Sequence, residues 1–154
     1  MEKISVSDLS IGDWVCAEQL CGVHSEPRLT PPMRVVGLGE SWVNLEIDPE
    51  QGDPFEFEPH EIRGIPITTE VLEKNGFRQT KRFSEYWQLT VYNDEVYVNL
   101  GDRYTTCEHN RMVHNPEDVS EVDYSSSLEM PRKMFVHELQ RFLQLAKVEK
   151  DIEL

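Results

Sequence analysis

The chain predicts an α+β fold: a small N-terminal SH3-like β-barrel over residues 6–66, then an antiparallel sheet packed with one main helix over residues 67–154. Three observations predict it. Short stretches of alternating apolar and polar residues fill the N-terminal part, separated by turn residues. The run Glu61 to Phe77, EIRGIPITTEVLEKNGF, closes that pattern and opens a helix. Met134 to Lys147 carries apolar residues at helical spacing.

In the first part, Gly12-Asp13 forms a turn that feeds Trp14 and Val15 into a strand. Gly22 to Pro32 has three prolines and no periodicity, the pattern of an exposed loop. Arg34 to Leu38 and Trp42 to Ile47 are the next strands, with Val43, Leu45 and Ile47 pointing inward. Phe55 and Phe57 alternate with Glu56 and Glu58 in a fourth, and Glu61 to Ile65 supplies a fifth. Short strands with tight turns favour closure into a barrel, which removes sheet edges.

Pro66 fixes where the helix can begin, because it lacks an N–H and biases Ile65 toward extended geometry. Thr68 is the N-cap, Ile67 and Leu72 form a hydrophobic staple, and Gly76 takes the left-handed position after the helix. These signals predict a helix over Thr69 to Asn75.

Ser84 to Tyr92 and Glu95 to Gly101 read as a hairpin around Asn93-Asp94, with Val91 against Val96, Leu89 against Val98 and Trp87 against Leu100. The other face then shows Tyr86, Gln88, Thr90, Tyr92, Tyr97 and Asn99. Tyr104 to Met112 and Val119 to Leu128 add strands, with a break at Asn115-Pro116. On the main helix Phe135, Val136, Leu139, Phe142, Leu143 and Ala146 are inward, while His137, Gln140, Arg141 and Gln144 face water. The tail Glu149 to Leu154 is expected to dock as an edge strand or to fray.

The blocks LSIGDWV, IPITTEVLEKNGF and FVHELQRFLQ with the closing DIEL resemble an uncharacterised family of small proteins from gut anaerobes of the Bacteroides group and their phages and prophages. The resemblance implies a cytoplasmic, phage- or mobile-element-related protein. It brings no activity and no catalytic residue.

The apolar runs are only a few residues long and the start MEKISVSDLS is polar, so no segment spans a bilayer and no secretory leader is expected. Three cysteines without an export signal point to reduced thiols in the cytoplasm. With 29 acidic against 15 basic residues the net charge is −14, which disfavours direct attraction to nucleic acid or to anionic lipid. The partner expected is a protein, and the function a non-catalytic protein–protein interaction module. An alternative is an acidic mimic of nucleic acid that inhibits a DNA-binding enzyme.

Cys107, His109 and His114, spaced C-x-H-x4-H, have ligand chemistry for zinc but no common finger or ribbon spacing. They also define a third reading, a metal- or thiol-dependent enzyme. Cys16, Cys21 and His24 pose the same question more weakly. No phosphate-binding glycine loop, H-E-x-x-H or G-x-S-x-G occurs, and no cofactor is expected. Trp42, Tyr86, Tyr92 and Tyr97 are the candidates for a protein-binding patch, against the plainer reading that they pack beneath a helix.

Overall fold

Two antiparallel sheets, two α-helices and two single-turn 3₁₀ helices make up the described elements of the computed structural model, which describes residues 2–19, 26–48, 50, 52–81, 85–101, 104–114 and 120–154. The chain divides into two units, Met1–Pro66 with Phe135–His137, and Ile67–Met134 with Glu138–Leu154.

The first unit holds six strands: β1 (Trp14–Gln19), β2 (Arg28–Leu29), β3 (Met33–Leu38), β4 (Val43–Glu46), β5 (Phe55–Phe57) and β6 (Ile62–Gly64). Their order is β2-β1-β3-β4-β5, and β6 pairs β1 antiparallel. The turn before β1 is built as its residues suggest: Gly12 has φ 93°, and the buried Asp13 accepts from the Ser10 N–H at 2.7 Å. Between β5 and β6 lies a one-turn 3₁₀ helix, Pro59–Glu61, closed by a capping box between Glu58 and Glu61. Val15, Ala17, Met33, Val35, Val43, Leu45, Phe57 and Ile62 form the core. Phe135 packs across Gly64 so closely that a Cβ there would stand 2.7 Å from the ring.

Two expectations for this unit need correction. The stretch read as one exposed loop includes β2, which pairs the end of β1 through Glu18 and Leu29; its residues 22–25 lie outside the described ones. Ile47 and Phe55 are not inward: they are 48% and 53% exposed. The ladder explains this, because β4 stops at Glu46 and the Leu45 and Phe55 pair is the last rung between β4 and β5. Both residues keep the phase of the core side at a point where the sheet no longer continues.

The second unit contains α1 (Thr69–Lys74), β7 (Arg78–Gln79), β8 (Tyr86–Val91), β9 (Asp94–Leu100), β10 (Thr105–His114) and β11 (Ser120–Met130), with α2 (Val136–Leu145) running from the first unit's Val136 and His137 into it. The sheet order is β11-β10-β9-β8-β7. α1 is capped as predicted: Thr68 Oγ1 accepts from the Val71 N–H, Gly76 has φ 83°, and the Phe77 N–H donates to the Leu72 carbonyl at 3.0 Å. The Thr68 hydroxyl and the residue's own backbone N–H hold the Glu70 carboxyl below its ordinary range.

The hairpin turns one position earlier than expected. Its loop is Tyr92-Asn93, with Tyr92 at φ 53°, so Val91 faces Asp94 and Leu89 faces Val96. This slip of two residues leaves every side chain on its expected face. Trp87, Leu89, Val96 and Val98 are buried.

On α2 the expected apolar stripe is buried, but His137 and Gln140 are buried as well, at 1% and 7% exposure. His137 is not a solvated side chain; its ring stacks on Phe135 with centroids 5.7 Å apart. The tail docks without becoming a strand. Asn75 accepts from the Glu153 N–H and donates to the Glu153 carbonyl, both at 2.8 Å, and Ile152 is fully buried.

Candidate functional site

In the first unit the loop end of the β4–β5 hairpin forms a groove of about 260 Å³ lined by Glu46, Ile47, Asp48, Gly52, Asp53 and Phe55. Two large apolar side chains therefore meet water within a set of three carboxylates. Asp48 Oδ1 accepts from the Glu50 N–H at 3.0 Å, a turn that shapes the rim. Sequence reasoning missed this site because alternation assigns Ile47 and Phe55 to the core. The usable signal was the cluster of Asp, Pro and Gly just after Ile47, which ends the ladder.

Trp42, one of the expected contact residues, lies in the same unit, half-buried. Its indole covers Gly37 and Gly39 so closely that a Cβ on Gly39 would collide with it. The three tyrosines lie in the second unit. Tyr92 is 88% exposed at the hairpin tip, whereas Tyr86 and Tyr97 are half-buried on the wet face of the sheet. Arg78, Gln88, Tyr97, Glu108 and Ser127 face one another in turn across all five strands. The Tyr97 hydroxyl donates to Glu95 at 2.8 Å; burial first, then this carboxylate, pushes its pKa up to about 12.

The other face of that sheet holds the residues with catalytic or metal-binding chemistry. Cys107 and His109, two apart on β10, share it and are both 0% exposed. Burial pushes the Cys107 thiol well up, and Glu108 adds to the effect, so the sulfur is a neutral thiol and a poor nucleophile. His109 Nε2 lies 2.8 Å from Asp94 Oδ1, and Arg111 grips both oxygens of the same carboxylate at 2.9 and 3.3 Å. Burial alone would raise the Asp94 carboxyl, but the hydrogen bonds and charges of Arg111 and His109 outweigh it and hold it below its ordinary value. This is a clasp between β9 and β10, closed to a substrate at His109.

Among the described residues no three His, Cys, Asp or Glu side chains stand close enough to hold a metal ion. The His114 side chain, Cys21 and His24 lie outside the described residues. Cys16 and Cys107 are free thiols, and burial raises Cys16 also. No family model, curated protein or solved structure matches the chain.

Proposed function

We propose that the protein is a non-catalytic interaction module whose first unit takes a basic, partly apolar segment of a protein partner in the groove between Ile47 and Phe55. The observation that carries this reading is the exposure of those two side chains, at 48% and 53%, beside Glu46, Asp48 and Asp53. Interface anchors are apolar or aromatic groups that lose water on contact, and a surrounding charged rim selects the partner. A net charge of −14 would speed the approach of a cationic segment. The strand order supports the finer assignment of this unit to the SH3-like barrels, since a β3-β4-β5 meander is followed by a 3₁₀ turn and a last strand returning to β1. Tyr92, at the tip of the hairpin in the second unit, is a separate contact in this reading; Tyr86 and Tyr97 of that unit, and Trp42 of the first, are less exposed.

The deciding experiment is co-purification from the native host with wild type and with Phe55→Ala and Ile47→Ser variants that still fold. One stoichiometric partner, lost in both variants, is the expected result. A partner retained by both would end the proposal. Recovery of a DNA-binding enzyme released by salt would favour the acidic-mimic reading instead. In the same reading the protein works in the bacterial cytoplasm as a phage- or mobile-element product, which is what its resemblance to the Bacteroides-group family implies. No helix among the described residues is long and apolar enough to cross a membrane.

A further inference from the structure

A second groove, in the other unit, has the opposite electrostatic character. It measures about 460 Å³ and is lined by Gly76, Arg78, Gln79, Thr80, Lys81, Gln88 and Thr90. Arg78, Gln88 and Thr90 lie on the wet face of the sheet, Arg78 directly opposite Gln88 across the β7–β8 ladder. Every polar side chain in that set can donate a hydrogen bond, and two carry positive charge. No carboxylate is among the described residues that line it, although the chain carries 29 acidic residues. Glu95, opposite Thr90, is engaged by the Tyr97 hydroxyl, and Glu108 lies opposite Tyr97, two strands away from Gln88. Arg78 and Lys81 form no ion pair among the described residues.

From this arrangement we infer that the groove over β7 and β8 binds a phosphomonoester, with the Arg78 guanidinium and the Lys81 ammonium as its cationic partners. A guanidinium fork matches two oxygens of a phosphate, an ammonium adds a point charge, and the amide and hydroxyl donors serve the remaining oxygen. The volume suits a small ligand. A compact dianion also fits the charge balance better than a polyanion does, because distant carboxylates are screened beyond about 8 Å at physiological salt while contacts in the groove are not. Cations on an edge strand also discourage unwanted strand pairing. That role asks only for charge, so exchanging arginine for lysine separates the two.

The test is a titration of the full chain followed by amide NMR, with inorganic phosphate and then O-phosphoserine as probes. Saturable shifts at Arg78, Gln88 and Thr90 are expected for both. Arg78→Lys should weaken binding by about tenfold, and Arg78→Gln with Lys81→Gln should abolish it. Arg132→Gln, remote in sequence and paired with Glu138, should leave it unchanged. A phosphoserine peptide that binds more tightly than the free amino acid would identify a partner-borne phosphate; equal affinity would identify a free small molecule. Shifts that fail to saturate, or that survive in the double variant, would overturn the site.

Discussion

Asp94 shows how one side chain can set local geometry. The sequence pattern assigns it to a turn, yet it sits inside β9 opposite Arg111 and accepts from both Arg111 and His109. Its carboxyl is held below the ordinary value, so the unfolded chain binds the proton more readily than the folded one. The stability it adds is therefore present above the ordinary carboxylate pKa and is lost as pH falls through the depressed one. Asp94→Asn should cost about 2 kcal/mol at neutral pH and flatten the acid limb of the stability profile, measured by urea unfolding across pH. An unchanged acid limb would show that other carboxylates govern it. Cys107 carries a separate expectation. Being buried and neutral, it should resist iodoacetamide in the native protein and react after unfolding, as mass spectrometry of the labelled peptide would reveal.

At the scale of elements, α1 is too short to be stable alone, and its C-terminus is where the tail is fastened. The Asn75 amide joins the Val71 carbonyl to both backbone groups of Glu153, and Lys74 donates to the Leu154 carbonyl. Asn75→Ala should cost about 1 to 2 kcal/mol and speed hydrogen exchange at Glu153 well ahead of the sheet. Equal protection of the tail in the variant would mean that Ile152 burial and the Lys74 contact hold it without Asn75. This helix was legible in the sequence because each of its signals is local: Thr68, the staple pair and Gly76 all act within one or two turns. The hairpin register was less legible. Slips of two residues preserve the alternation, so only the Asp94 clasp, a contact between side chains on neighbouring strands, distinguishes the two.

For the molecule as a whole, the excess of carboxylates is the dominant electrostatic fact. The chain carries 29 acidic against 15 basic residues, and the described ion pairs of Arg63 with Glu18, Arg111 with Asp94 and Arg132 with Glu138 draw on the smaller number. Self-repulsion should make the protein more stable as salt rises from about 0.02 to about 0.3 M, with a midpoint of thermal unfolding a few degrees higher. A falling midpoint over that range would show that the paired cations matter more than the unpaired carboxylates. Moderate salt should also weaken capture of a basic partner, because steering is screened while the Ile47 and Phe55 contact is not.

The sequence by itself determined most of the strands and both helices, the apolar stripe of α2 and the sign of the protein's net charge, because periodicity, capping and charge are properties of neighbouring residues. Only the tertiary structure decided that His137 is buried against Phe135, that Ile47 and Phe55 outrun their sheet, and that Arg78 and Lys81 border one groove. Those outcomes depend on which segments meet across long stretches of chain, and alternation along a strand carries no information about where its cover ends.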